Sequence, residues 1–170
     1  MGEDQILGLI VDDQPEARLE IRECAEVLGY DFIETGSVEE AREVLRREHV
    51  DFVVLDLSIP FKKGRPDKIE FGKILLDKIL QEHPGVGVVV VTAHESYYHA
   101  VDIMRRSSAV SAVSFVPKPF DDNPGNPSLT KQIGCRSAGA TRLRSNNKQL
   151  NGDKAGKQGA PRVPMECKPP

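Results

Sequence analysis

Short aliphatic runs alternate with amphipathic stretches over the first 120 residues of the chain. Five of these runs have the length and the β-branched content of strands. They are Ile6–Val11, Asp31–Thr35, Asp51–Leu55, Val86–Val91 and Ala112–Val116. The first, third and fourth contain continuous apolar segments, which is typical of strands that helices cover on both faces. We therefore expect these three strands to be central and parallel.

The amphipathic stretches between the runs predict four helices. Their expected ranges are Pro15–Leu28, Ser37–Glu48, Ile69–Gln81 and Glu95–Ser107. The first helix has four apolar residues near one face, namely Leu19, Ile21, Ala25 and Leu28. The second begins with a capping box, in which the Ser37 hydroxyl accepts from the amide of Glu40 and the Glu40 carboxylate reaches back to Ser37. The order βαβαβαβαβ predicts an α/β fold with a five-stranded parallel, doubly wound sheet.

Chemically active residue types stand where the predicted strands end. Asp12 and Asp13 follow the first strand, Asp56 the third, Thr92 the fourth and Lys118 the fifth. Ligands bind at the carboxyl edge of such sheets. Carboxylates held close together raise one another's pKa unless a cation is present, so the cluster indicates a hard divalent ion such as Mg²⁺. A carboxylate in the position of Asp56 can act as a nucleophile toward a phosphoryl group.

Four short segments at these strand ends carry a family resemblance. They are Val11-Asp12-Asp13, Leu55-Asp56-Leu57-Ser58-Ile59-Pro60, Thr92-Ala93 and Phe115-Val116-Pro117-Lys118-Pro119-Phe120. Each segment is weakly specific alone, but all of them in order resemble the receiver domains of two-component response regulators over residues 5–120. The resemblance implies a flavodoxin-like receiver fold.

The resemblance also implies residue roles at the carboxyl edge. Asp56 would be the phosphoacceptor, and Lys118 would bind the phosphoryl oxygens. Asp12 and Asp13, together with Asp56 and the backbone carbonyl of Ser58, would hold Mg²⁺. The family therefore implies a protein that catalyses only its own phosphorylation and dephosphorylation.

A switch and its partners are implied in the same way. Thr92 and Phe115 would be the switch pair, with Thr92 acting at the phosphoryl group, and the Lys118–Pro119 peptide bond would be cis. The phosphoryl donor would be a sensor histidine kinase or a histidine phosphotransfer protein. Phosphorylation would then change a protein-binding face that a downstream target recognises.

Three segments depart from the family pattern. Residues 61–71 form a longer and more basic connection than usual, and we expect it to rim the site and steer an acidic partner. Residues 105–112 lack the usual Gly-Ala turn before the fifth strand. The fifth helix is interrupted by residues 121–126, which predicts a late, shortened helix of about two turns with Asn126 as its cap. Leu129 and Ile133 would lie on its buried face, before Gly134.

The balance of acidic and basic residues changes after residue 120. Residues 1–120 contain 14 basic and 22 acidic side chains, whereas residues 121–170 contain 9 basic and 4 acidic ones. The second part is poor in large aliphatic residues and rich in Pro, Gly, Asn and Ser, so it cannot bury enough apolar surface to offset the entropy of ordering. We therefore predict a receiver domain over 1–133 and a disordered basic tail over 134–170. An incomplete fifth-helix face favours a monomer.

Several other classes of function are disfavoured by composition. Cys24, Cys135 and Cys167 are odd in number and lack metal-ligand spacing, so we expect reduced thiols. No apolar run is long enough for a membrane span and the start of the chain is acidic, which predicts a cytoplasmic protein. The tail lacks a nucleic-acid-binding motif. His94 and His99 are about 140° apart on a helix and cannot share a metal.

Two alternative functions remain at this point. A phosphatase of the haloacid dehalogenase type also has a nucleophilic Asp after a strand, but it needs a second Asp two residues later, where this chain has Ser58. A receiver-like binding module that works without phosphorylation would usually have lost one of the site residues. Single residues also have purely structural interpretations. The acidic pair can cap a helix, and Phe115 can be a core residue.

Overall fold

The computed structural model describes residues 5–93, 113–120 and 128–137. Seven strands lie in this part of the chain: β1 Leu7–Val11, β2 Asp31–Thr35, β3 Phe52–Asp56, β4 Ile59–Pro60, β5 Asp67–Lys68, β6 Gly87–Ala93 and β7 Val113–Lys118. Three helices have the bounds α1 Pro15–Val27, α2 Val38–Arg47 and α3 Ile69–Glu82. A further helix covers residues 129–137.

Five strands form a parallel sheet in the order β2-β1-β3-β6-β7. Val11 pairs with Thr35 on one side and Leu55 on the other, so the ends of these strands lie level. The parallel, doubly wound sheet predicted from the apolar runs is confirmed. Because all five strands run in the same direction, the residues that follow them meet at one edge.

Two apolar layers cover the sheet. On one face, α2 and α3 bury residues that include Leu45, Leu75, Leu76 and Ile79 against β1, β3 and β6. On the other face, Ile21 of α1 packs with Ile10, Phe52 and Val54. All residues of β3 are buried, as the continuous apolar run predicts for a central strand.

The ends of α1 follow from local sequence, but one predicted contact is wrong. Pro15 is at the start of the helix, and Gly29 ends it with φ of 72°, a conformation that glycine adopts without steric cost. Ala17, Ile21 and Ala25 form the buried stripe. Leu19, which we expected inside, is 44% exposed because it lies on the solvent side of that stripe.

The cap of α2 differs from the prediction in one partner. Ser37 Oγ accepts a hydrogen bond from the amide of Glu40 at 3.3 Å, as expected. The Glu40 carboxylate accepts from the amide of Gly36 at 2.8 Å, rather than from Ser37. The extended backbone at Ser37 brings the amide of Gly36 within reach of the glutamate, so the first turn is still satisfied.

The helix over residues 129–137 is longer at its end than predicted. Ser128 lies at its start, with Oγ accepting from the amide of Lys131 at 3.5 Å, while Asn126, the expected cap, lies outside the described residues. Leu129 and Ile133 are buried, as predicted, and cover the face that includes Ile10 and Phe52. These contacts add the helix to the apolar layer on that face of the sheet.

Gly134 does not end this helix. A Cβ at that position would meet only Leu28 of α1, at 3.7 Å, and the helix continues to Ser137, whose Oγ lies 2.8 Å from Tyr30 Oη. The expected division of the chain after Ile133 therefore falls inside a packed helix.

Some predictions concern residues that the structure does not describe. The helix expected at Glu95–Ser107, the turn at 105–112 and the tail from residue 138 onward lie outside the described ranges. Among the helices that are described, none has the length and apolar character needed to cross a bilayer.

Candidate functional site

Three carboxylates meet at the carboxyl edge of the sheet. Asp12 and Asp13 follow β1, and Asp56 is the last residue of the neighbouring strand β3. One oxygen from each lies within 4.8 Å of the others. Asp12 and Asp56 are 0% and 4% exposed, whereas Asp13 is more accessible. The predicted acidic cluster is present as a compact group.

The lysine predicted at this edge bridges two of these carboxylates. Lys118 Nζ lies 2.5 Å from Asp12 Oδ2 and 2.7 Å from Asp56 Oδ2. Burial opposes the charge of Lys118, but the Asp56 and Asp12 carboxylates outweigh it and raise the pKa of the ammonium. The lysine is therefore charged at neutral pH and partly compensates the cluster. The Lys118–Pro119 bond is cis, as predicted.

Backbone amides hold the second oxygen of each buried carboxylate. The amide of Gln14 donates to Asp12 Oδ1 at 2.9 Å, and the amide of Ser58 donates to Asp56 Oδ1 at 3.0 Å. Asp12 thus also stabilises the turn before α1, but it does not cap the helix, whose N-cap is Gln14 without a side-chain hydrogen bond. Arg18, which the sequence did not indicate, donates to the backbone carbonyl of Asp12 at 2.6 Å.

Two of the carboxylates, Asp56 and Asp13, have a raised pKa in this site. Burial raises the pKa of Asp56 above its usual value, and the Lys118 ammonium acts in the opposite direction. Burial also raises the pKa of Asp13, and the charges of Asp12 and Asp67 add to the effect. Three carboxylates facing one ammonium leave an excess of negative charge that a cation would neutralise.

The donor set fits a hard divalent cation. Carboxylate oxygens are the ligands that Mg²⁺ prefers, and three of them converge here from two adjacent strands. Neither histidine nor cysteine contributes to this described cluster, which disfavours a zinc site. The site is therefore an acidic triad of the kind that binds Mg²⁺ in receiver domains.

The two residues of the expected switch pair lie on adjacent strands. Thr92 is 1% exposed near the end of β6, and its hydroxyl has no hydrogen-bond partner among the residues that the structure describes. Phe115 of β7 pairs with Val90 and packs, half-buried, against the core that includes Val90. Because side chains alternate along strands, Thr92 and Phe115 are on the same face of the sheet. A buried hydroxyl without a partner is costly in an apolar interior.

The connection after Asp56 forms an extra element rather than the loop that we expected. β4 and β5 pair antiparallel, with Pro60 opposite Asp67, and form a hairpin (residues 59–68). The carbonyl of Phe61 accepts from the amide of Glu39 at 3.0 Å, and Lys62 Nζ lies 3.0 Å from Glu39 Oε1, so the hairpin is attached to α2.

An open cleft of about 1250 Å³ lies between this hairpin and α2. Asp13 and Arg18 line one part of it, and Lys63 and Arg65 of the hairpin line another. The basic connection therefore rims the site, as the sequence predicts. Glu39, Glu40 and Glu43 also line the cleft, so its charge is mixed rather than uniformly basic.

Comparisons with known proteins agree with this architecture. The family described as "Response regulator receiver domain" matches residues 9–125. Response regulator protein PilR of Pseudomonas aeruginosa is 35% identical over 118 residues, which are 67% of this chain and 23% of that protein. Sporulation initiation phosphotransferase F of Bacillus subtilis is 29% identical over 129 residues, which are 76% of this chain and 94% of that protein.

A solved structure supports the fold independently. The receiver domain of NtrX from Brucella abortus superposes with a TM-score of 0.59 at 24% identity, covering 79% of this chain and 98% of that one. The chain spans about a quarter of the length of PilR but nearly all of the sporulation phosphotransferase. Because the family match extends over more than two thirds of the residues, the chain belongs to the response regulator receiver domain family.

Proposed function

We propose that this protein accepts a phosphoryl group from a phosphohistidine onto Asp56 in a Mg²⁺-dependent reaction. The observation that carries the proposal is the contact of Lys118 Nζ with Asp56 Oδ2 at 2.7 Å, inside a cluster of three carboxylates. The Lys118 ammonium favours the ionised, nucleophilic form of Asp56 against the effect of burial, and a bound divalent cation would favour it further.

Each residue of the site has a separate role in the proposed phosphoryl transfer. A carboxylate oxygen of Asp56 forms the new P–O bond while the P–N bond to the donor imidazole breaks, and the electron pair of that bond leaves with the imidazole nitrogen. Asp12, Asp13, Asp56 and the carbonyl of Ser58 would hold Mg²⁺, which when bound neutralises charge on the phosphoryl oxygens. Lys118 supplies a second positive charge, and the Ser58 amide holds Asp56 Oδ1 in place.

Thr92 is suited to detect the phosphoryl group. Its hydroxyl is buried at the same edge of the sheet and has no hydrogen-bond partner within the described ranges, so a phosphoryl oxygen would offer it one. Movement of Thr92 toward the site would free space for Phe115 on the same face to turn inward. Phosphorylation would thereby favour a conformation that is already present as a minor population.

A receiver domain implies a histidine kinase or a histidine phosphotransfer protein as the donor. The relative that the match covers almost completely has "phosphotransferase" in its name, which supports a relay in which the protein itself passes on the signal. We propose a cytoplasmic protein whose output is contact with a downstream protein. The receiver domain would extend at least to Ser137, because residues 129–137 form part of the core.

Phosphorylation with acetyl phosphate tests the proposal. The chain should take up one phosphoryl group in the presence of Mg²⁺ and none in the presence of EDTA, as measured by intact mass under mild conditions. Asp56→Ala should abolish the uptake. Asp31→Asn is the matched control, because Asp31 is an exposed aspartate at the opposite edge of the sheet, and this variant should label like the parent. Full labelling of Asp56→Ala would show that another residue is the acceptor.

A further inference from the structure

A fourth carboxylate, which no motif indicated, lies beside the acidic triad. Asp67 belongs to β5 of the hairpin, and its Oδ2 accepts a hydrogen bond from Ser58 Oγ at 2.9 Å. Ser58 in turn donates its amide to Asp56 Oδ1. Two hydrogen bonds therefore connect Asp67 to Asp56 through a single intervening residue.

The hairpin fixes the position of Asp67. The pairs Ile59 with Lys68 and Pro60 with Asp67 close its base immediately after Ser58. Ile59 is completely buried, so the base of the hairpin is anchored in the core. Asp67 itself is exposed, so its carboxylate is accessible to solvent and to ions.

The carboxylate of Asp67 lies near the triad, because the hydroxyl that donates to it and the amide that donates to Asp56 belong to the same residue, Ser58. The interaction of its charge with a cation falls off with distance and is screened beyond about 8 Å at physiological salt. Asp67 thus adds negative charge next to the triad.

We propose that Asp67 is an additional acidic residue of the cation site, which acts through its charge and is held in position by the Ser58 hydroxyl. The inference rests on the proposed function only in taking the triad as a Mg²⁺ site. A hairpin of residues 59–68 would then do more than extend the surface, since it adds charge to the site that the five-stranded sheet alone does not provide.

Mg²⁺ binding without a phosphoryl donor tests the proposal. The dissociation constant of the full chain is measured by isothermal titration calorimetry at neutral pH and fixed ionic strength. Asp67→Asn should weaken binding about three- to tenfold, the range expected for one unit charge near a divalent ion in a mostly aqueous environment. Asp67→Glu, which keeps the charge, should remain within about twofold of the parent. Ser58→Ala keeps the charge of Asp67 but removes the hydroxyl that holds its carboxylate. The loss of Mg²⁺ affinity in this variant should therefore be smaller than in Asp67→Asn.

Two controls separate this effect from general ones. Asp31→Asn removes one exposed charge at the opposite edge of the sheet and should leave Mg²⁺ binding unchanged. Asp67→Ser is a second neutral replacement, to be used if Asp67→Asn does not fold, as judged by circular dichroism. The proposal is overturned if the folded neutral variant binds Mg²⁺ within twofold of the parent, if Asp31→Asn weakens binding equally, or if Ser58→Ala has the larger effect.

The outcome is independent of whether Asp56 is the phosphoacceptor. Labelling of the parent by acetyl phosphate is measured in parallel. If the parent is labelled normally and Asp67→Asn binds Mg²⁺ like the parent, only the role proposed for Asp67 is refuted. Absent labelling together with weakened binding by Asp67→Asn would remove only the proposed phosphotransfer.

Discussion

The buried carboxylates of the site lower the stability of the folded chain unless their charge is compensated. Asp12 and Asp56 are almost completely buried, and a buried carboxylate destabilises a protein unless it is paired and hydrogen-bonded. Lys118 pairs with both, and the amides of Gln14 and Ser58 satisfy their remaining oxygens. The negative charge of Asp13 is less well compensated. Burial opposes it most, and the charges of Asp12 and Asp67 add to that effect.

Asp13→Asn should therefore stabilise the metal-free protein and weaken its response to Mg²⁺. A pKa that is raised in the folded state means that the folded chain favours protonated Asp13, so this contribution to stability is lost as the pH rises through the folded pKa. At neutral pH the ionised side chain disfavours folding, and a neutral amide removes that effect. We expect the melting temperature in EDTA to rise by a few degrees, and the further rise on adding Mg²⁺ to shrink strongly.

Thermal melts with and without Mg²⁺ check this expectation, and Asp31→Asn serves as the comparison for loss of an exposed charge. A variant that melts below the parent in EDTA, or that keeps the full Mg²⁺-induced rise, would contradict the role given to Asp13.

At the scale of elements, the position of α3 against the segment after β3 shapes the site. Gly72 of α3 lies directly on Leu57, the residue that follows Asp56. A Cβ on Gly72 would be 2.2 Å from the Leu57 carbonyl oxygen and 2.4 Å from its Cα. The helix can approach the segment after Asp56 this closely only because position 72 has no side chain.

Gly72→Ala should lower the free energy of unfolding, although alanine usually stabilises a helix relative to glycine. Alanine normally stabilises a helix interior by about 1 kcal/mol relative to glycine. Here the methyl group would collide with backbone, and overpacking of this kind costs about 1–3 kcal/mol or more. We expect the free energy of unfolding in urea to fall by about 2 kcal/mol, and the rate of labelling by acetyl phosphate to fall as well.

Gly36→Ala is the matched control for this prediction. A Cβ at Gly36 would meet its nearest neighbour, Arg18 Nη1, at 3.6 Å, an ordinary contact distance. Its stability should stay within about 0.5 kcal/mol of the parent, as for most surface substitutions. Equal or higher stability of Gly72→Ala would show that α3 can shift without cost.

At the scale of the whole molecule, the described surface offers little apolar area for self-association. The exposed large apolar side chains in the described ranges are spread over three elements: Leu19 and Val27 on α1, Phe61 on the hairpin and Ile74 on α3. Stable dimer interfaces bury at least about 1,000 Å² with a contiguous apolar centre. Scattered apolar residues do not provide such a centre.

We therefore predict that the chain is a monomer, both without modification and with beryllofluoride bound as a mimic of the phosphoryl group. The helix over residues 129–137 is longer than the two turns first expected, but its apolar residues Leu129 and Ile133 face the core and not the surface. Sedimentation velocity at micromolar concentration measures the mass directly. A complete shift to the dimer on adding beryllofluoride would contradict the prediction.

The sequence by itself determined the five strands of the main sheet, their parallel direction and the residues at their ends. Continuous apolar runs and the period of amphipathic helices are both local properties of the sequence. Asp12, Asp56 and Lys118 could therefore be assigned to one edge before any contact was known. The roles of Thr92 and Phe115 came from family resemblance, because one hydroxyl and one aromatic side chain carry no signal of their own.

Only the tertiary structure decided the features that depend on contacts between distant segments. The strands of the hairpin have two residues each, too few to show a period, and they form because Ile59 is buried and Phe61 is held by Glu39. The helix passes Gly134 and reaches Ser137, whose Oγ contacts Tyr30 Oη from a distant part of the chain. Asp67 reaches Ser58, nine residues earlier in the chain, because antiparallel pairing brings the two ends of the hairpin together. In each case the deciding energy is a packing or hydrogen-bond term between residues that are separated in the chain, which local patterning does not encode.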